Sequence, residues 1–259
     1  MKKDQKLSSG IYIKQDFSDA VRFVFYQTND TAYPYATHGG TAFLINYRRR
    51  IYGLTCHHVF GAFEHHQLVI TDAKRPLRGA RVAKITGIFE LSAASSDTSE
   101  TDILDVCIIE FSEDTGSSFF KESAYVIDIN TVATSEKGHK LIVSGVLNSK
   151  SYIADPAIEP GYCRLEFMDN GRQTSDPTTR QAIAEYHTPT FDSIDGISGA
   201  PVYDETSNAL CGMVVRGSMN QTKCTINYID IYDIIKALDA AHNGKPKASY
   251  QKTVDRIKR

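Results

Sequence analysis

Along the chain, short apolar runs rich in β-branched residues alternate with clusters of Gly, Pro, Asn, Asp and Ser. Runs too short for helices and bounded by turn residues predict strands. The clearest are Ala20 to Tyr26, Thr41 to Asn46, Arg50 to Thr55, Gln67 to Thr71, Val106 to Phe111, Lys140 to Leu147, Tyr162 to Met168, Ala200 to Tyr203, Leu210 to Arg216 and Thr225 to Ile229. No repeat of helical or blade type interrupts this texture. The period changes once, near the end. Ile231, Ile234, Ile235 and Leu238 recur at helical spacing, and Asn243-Gly244-Lys245-Pro246 supplies a stop.

Polar stretches set the boundaries. Leu91 to Thr101 and Asp169 to Arg180 read as surface loops. Phe119 to Ala133 reads as a link between halves of comparable size, which predicts one unit over 17–125, a second with the helix over 126–244, and a tail over 245–259. The tail carries six basic residues against one Asp and reads as a solvated end, or as a docking segment for an acidic partner.

Composition adds exclusions. A chain of 259 residues, 41% hydrophobic and 23% charged, can bury a sizeable core as one large β domain or two small ones. A formal net charge of -2 provides no global basic field for nucleic acid or a membrane surface. The basic start Met1-Lys2-Lys3 is followed by no apolar segment, so no secretory leader is expected. No apolar run approaches the roughly 18 residues of a membrane span. Five cysteines, Cys56, Cys107, Cys163, Cys211 and Cys224, form an odd set, with at least three inside strand-like segments. They read as reduced core residues of a cytoplasmic protein. No CxxC or HExxH motif occurs, and His65-His66 and His38-Gly39-Gly40 offer no metal-ligand spacing; no metal or cofactor is expected.

Three segments carry chemistry. In Asp195-Gly196-Ile197-Ser198-Gly199-Ala200-Pro201, glycines flank a serine and permit a tight turn. Such a turn can aim the Gly196 and Ser198 amides at one point, where an oxyanion would form on a carbonyl attacked by Ser198. In Leu54-Thr55-Cys56-His57-His58-Val59, a strand ends on two histidines, either of which could be the base that a serine hydroxyl needs. Asp102 and Asp105 open the buried run Val106-Cys107-Ile108-Ile109, and a carboxylate there would orient the imidazole.

In the order His, Asp, Ser, these segments resemble the trypsin- and chymotrypsin-like serine peptidases, with the flavour of bacterial HtrA-like and glutamyl-endopeptidase-like members. The resemblance spans roughly residues 17 to 241. It implies an all-β fold of two six-stranded antiparallel β-barrels with a C-terminal α-helix. The small-x-His-Val motif falls on Cys56 to Val59, which implies His58 as base rather than His57. The Asp-x-small-apolar-apolar motif falls on Asp105 to Ile109, which implies Asp105 rather than Asp102. The Gly-x-Ser-Gly-x-Pro motif falls on Gly196 to Pro201, which implies Ser198 as nucleophile and the amides of Gly196 and Ser198 as oxyanion hole.

Two departures shape the expectation. Ile197 stands where activated zymogens carry an Asp, and no Ile-Val-Gly-Gly start is present. Activity is therefore expected to be constitutive or controlled by a protein partner rather than by propeptide cleavage.

Specificity is read from fewer residues. Asp192 precedes Ser198 by the offset of the acid in trypsin's primary pocket, which implies Arg or Lys before the scissile bond; as a bare residue it reads equally as a loop acid. The preceding Tyr186 to Phe191 resembles the glutamyl-endopeptidase approach segment instead. Val215, Arg216 and Gly217 are expected to wall the pocket, with Arg216 neutralising Asp192 or meeting an acidic substrate. The expected partners are a protein or peptide substrate and a regulatory protein. The alternative class is a catalytically weak or inactive relative that binds peptides as an adaptor. An esterase lacks the GxSxG order, since position 200 is Ala.

Overall fold

A computed structural model describes residues 17–31, 35–72, 74, 81–90, 102–112, 119–154, 157–174, 176, 178–185 and 192–243. The expected loop at 91–101, the segment 186–191 and the basic tail lie outside these residues. The N-terminal half is built on β1 (Val21–Phe23), β2 (Thr41–Tyr47), β3 (Arg50–Cys56), β4 (Ile85–Glu90) and β5 (Val106–Phe111). They pair antiparallel in the order β1-β2-β3-β5-β4, and Tyr125–Val126 adds a sixth strand, parallel to β2. After β1 the chain continues through Val24 into a three-stranded sheet of Tyr35–Ala36, Phe25–Gln27 and Leu68–Val69.

The C-terminal half contains β6 (Lys140–Val146), β7 (Tyr162–Gln173), β8 (Thr179–Glu185), β9 (Pro201–Asp204), β10 (Ala209–Met219) and β11 (Lys223–Asp230). These close as a six-stranded antiparallel barrel in the order β6-β7-β8-β11-β10-β9. Among the described residues the ladder closes only here; the other half distributes its strands between the six-stranded and the three-stranded sheet.

The helix predicted from Ile231 onward is α1 (Ile231–His242), capped by the Asp230 carboxylate, which accepts from Tyr232 N at 2.9 Å. Its stripe of Ile231, Ile234, Ala237, Leu238 and Ala241 is buried in the core of the N-terminal half, with Leu44, Tyr52 and Ile109. Tyr47 Oη donates to Asp239 at 2.9 Å, so the helix is tied back onto β2. A separate apolar cluster fills the C-terminal barrel, including Leu141, Val143, Ala200, Val214 and Ile226.

Two strands escape the apolar pattern. Thr179–Glu185 is polar and was expected in part as loop, yet it pairs with β7 and β11. The stretch from Asp169 to Gln173, also expected as loop, belongs to β7. The reason is a buried carboxylate: Asp169, 1% exposed, accepts from Gly171 N at 2.7 Å, Tyr228 Oη at 2.8 Å and Arg180 at 3.2 Å. Buried polar groups with partners satisfy a strand as well as apolar ones do.

Arg22 is the clearest case of a charge woven into the core. At 2% exposure its guanidinium donates to the carbonyls of Asp19, Val21, Thr71 and Asp72 and to Ser123 Oγ, over distances of 2.7–3.2 Å. It therefore stitches β1 to two loops. Arg22→Met keeps the apolar stem and strands these acceptors, so stability is expected to fall by about 3 kcal/mol or more. Urea unfolding of the two proteins measures it.

Candidate active site

His58 is positioned by the end of β3. At Cys56 the extended backbone gives way to the 3-10 turn His57–Phe60. Asp105 is positioned by the matching turn Asp102–Asp105, which opens β5, and β3 and β5 are paired through Cys56 and Val106. That pairing puts Asp105 against His58. Its Oδ2 lies 2.6 Å from His58 Nδ1 and its Oδ1 accepts from the His58 amide at 3.0 Å. A carboxylate on Nδ1 selects the tautomer protonated there, leaving Nε2 with its lone pair. The His58 side chain is about half exposed, 51%, and Asp105 is 25% exposed. The imidazole is held on one edge and accessible on the other.

The serine turn is fixed peptide by peptide. A peptide unit is planar and trans, so anchoring a carbonyl aims the following N–H the opposite way. Asp195 O accepts from Asn148 N at 2.8 Å, which orients the Gly196 amide. Ile197 O accepts from Ala200 N at 2.9 Å, which orients the Ser198 amide. Among the described residues neither amide donates to a protein acceptor. Gly196 (φ 101°) and Gly199 (φ 89°) hold left-handed conformations that side chains disfavour, and a Cβ on Gly199 would collide with Thr41 O.

The expected Ser198–His58 hydrogen bond is not formed. Ser198 Oγ donates to Val215 O at 3.2 Å. The register of β10 and β11 shifts between Val214 and Arg216, so Val215 sits in a bulge. Bulges re-aim backbone groups beside active sites, and here one turns a carbonyl onto the serine hydroxyl. Two contacts bring the two halves together around it, and a third braces the turn within the barrel. Ser198 O accepts from Thr41 N at 3.0 Å, Gly199 N donates to Val214 O at 2.8 Å, and the Cys56 thiol reaches that same Val214 O at 3.4 Å. Cys56 is two residues before His58.

The chain matches no family model and no curated protein. Comparison with solved structures gives human heparin binding protein at TM-score 0.55 and 15% identity, over 90% of this chain and 94% of that one. It also gives the scabies mite inactivated protease paralogue S-I1 at TM-score 0.58 and 11% identity, over 88% of this chain and 96% of that one. The fold is chymotrypsin-like. Within the chymotrypsin-like fold the N-terminal half supplies His58 and Asp105, and the C-terminal barrel supplies Ser198.

The residues expected to wall a pocket lie beside that turn. Val215 is buried, and a Cβ on Gly217 would collide with Ile194 Cδ1, so the Ile194 side chain packs directly on the Gly217 backbone. Asp192 is exposed. Arg216 does not engage it: the guanidinium pairs with Asp102 Oδ2 at 2.6 Å, an oxygen that also accepts from Thr179 Oγ1 at 2.8 Å. Asp102, the carboxylate that the resemblance passes over in favour of Asp105, is therefore a strut. It ties the turn bearing Asp105 to β10 and β8, and its amide donates to Asp176. Surface spacing gave no hint of this partner, because residues 102 and 216 meet only through the docking of the two halves.

Thr41 and Asn148 are the residues that motif reading overlooked. Thr41 is fully buried. Its Oγ1 donates to Gly196 O at 2.8 Å and accepts from Val146 N at 3.0 Å, while its carbonyl accepts from Thr55 Oγ1 at 2.9 Å. One side chain thus joins β2, β6 and the serine turn. Asn148 packs over Gly196 and Gly39, and its side-chain amide reaches His38 O at 3.5 Å. Ile197 is buried in the barrel cluster beside Leu141 and Val143, so apolar packing seats the turn where the resemblance leads one to look for an ion pair.

Proposed function

We infer that the chain is a serine endopeptidase acting through an acyl-enzyme. The observation that carries this reading is the two-point grip of Asp105 on His58, set beside a serine turn whose two amides are aimed and unspent. The reaction requires Ser198 Oγ to exchange Val215 O for His58 Nε2 as acceptor. Ser198 Oγ then attacks the substrate carbonyl as its proton passes to His58. The oxyanion is received by the Gly196 and Ser198 amides, and His58 returns the proton to the leaving amine, releasing the first product. Water attacks the ester by the same route and frees the serine.

The substrate backbone lies extended along Val215 to Gly217, adding a strand to the stretch of β10 that runs past its pairing with β9. Burial of Ile197 and the Thr41 contacts support a turn that is competent without propeptide cleavage, with control left to a protein partner. All five cysteines are free thiols, which supports a reducing, cytoplasmic setting. Asp192, exposed and unclaimed by Arg216, is the residue on which a preference for Arg or Lys before the scissile bond rests.

A second reading has an observation of its own. Ser198 donates to Val215 O, and one structural neighbour is named an inactivated protease paralogue; both fit a peptide-binding relative without turnover. A fluorophosphonate probe separates the two. The peptidase reading expects the wild type to be labelled and Ser198→Ala to be blank. An unlabelled wild type that still binds extended peptides supports the adaptor.

A further inference from the structure

A second constellation stands beside the triad and takes no part in it. His57 Nε2 lies 3.2 Å from Glu90 Oε1, and His65 Nε2 lies 3.0 Å from the same oxygen. All three donor atoms fall within 4.8 Å of one another. They come from three elements: the turn that carries His58, the 3-10 turn His65–Gln67, and the last residue of β4. Sequence spacing hides the cluster, because the ligands are joined only when β4 pairs with β5.

We propose that His57, His65 and Glu90 form a binding site for a divalent transition metal ion, with Zn²⁺ the best match. Two imidazoles and one carboxylate are the donor set that borderline ions prefer, whereas hard ions such as Mg²⁺ and Ca²⁺ take oxygen ligands. The spacing fits. Ligand atoms about 2.0–2.1 Å from a tetrahedral ion stand roughly 3.3 Å apart; the two edges at Glu90 measure 3.2 and 3.0 Å.

The surroundings favour a fixed site. The side chains of His65 and Glu90 are only 12% and 10% exposed, while His57, at 45%, leaves one side open for a water as fourth ligand. The Phe60 ring packs edge-on against His65, with centroids 4.6 Å apart. The Cys107 thiol reaches Glu90 Oε1 at 3.9 Å and serves as an outer hydrogen-bond donor to the carboxylate. A bound ion would clamp the base-bearing turn to β4.

The site is independent of whether the chain turns over peptides, and so is its test. Chelator-stripped full-length protein is titrated with Zn²⁺ by calorimetry at neutral pH, and its melting temperature is followed in parallel. One equivalent is expected to bind saturably. At 100-fold excess over Kd the melting temperature is expected to rise by about 5 °C or more. His57→Asn, at a half-exposed position outside the core, should raise Kd by at least about 100-fold, as should His65→Asn and Glu90→Gln. The second cluster with ligand spacing, Cys56, His58 and Asp105, gives the counter-result. Binding that survives His57→Asn but is lost in His58→Ala overturns the assignment, and so does the lack of a saturable equivalent in the wild type.

Discussion

His58→Ala is expected to lower turnover of a peptide substrate by roughly 10⁴-fold or more, with the fold retained. The size follows from the role that the proposed mechanism gives the imidazole, which takes the Ser198 proton; without it, only the aimed amides of Gly196 and Ser198 remain to assist attack. Retention of the fold follows from the contacts. The side chain is half exposed, and the Asp105 Oδ1 bond to the residue-58 amide does not depend on the imidazole. His57→Ala is the matched control. That neighbour pairs with Glu90 rather than with Asp105, so in metal-free protein its loss should leave turnover within a few-fold. Steady-state kinetics on both variants, with melting curves beside them, decide the matter. A dead His57→Ala with an active His58→Ala would shift the register of the motif by one residue and remove the proposed mechanism.

The same pair shows what a chain reveals before it folds. His58, Asp105 and Ser198 each lie in a segment marked by its immediate neighbours, a strand end or a glycine turn, whereas the choice of His58 over His57 and of Asp105 over Asp102 rests on the family resemblance. Strands with continuous apolar runs, such as Lys140–Val146 and Val106–Phe111, are legible in the same local way as those segments. Thr179–Glu185 is not, because what makes it a strand is pairing with β11 and the buried Asp169 network across the barrel. Asp102 and Arg216 read as unrelated charges, yet the docking of the two halves joins them in an ion pair. His65 and Glu90 are distant in sequence and meet at one oxygen. In each miss the deciding partner is remote along the chain, and no periodicity encodes it.

Thr41 is the most consequential of these remote partners. Thr41→Val is expected to reduce kcat by about 10²-fold, the scale of losing one oxyanion donor, with a smaller effect on KM. Valine matches threonine in shape, so the cavity is refilled and only the hydroxyl is lost. Gly196 O and Val146 N then lose their Oγ1 contacts inside a buried junction. Leaving a buried polar group unsatisfied costs about 1–3 kcal/mol, and the junction can relieve that cost by letting the Gly196 peptide turn. That peptide, whose carbonyl Thr41 holds, is the link between the Asp195–Gly196 peptide anchored by Asn148 and the Ile197–Ser198 peptide; once it turns, the Gly196 and Ser198 N–H groups lose the common direction that the proposed mechanism needs. Thr41→Ser keeps the hydroxyl and should restore most of kcat, whereas a merely structural role would show as a lower melting temperature in both variants. If Thr41→Val turned over like the wild type, the aim of the oxyanion amides would have to come from Asn148 and the burial of Ile197 alone.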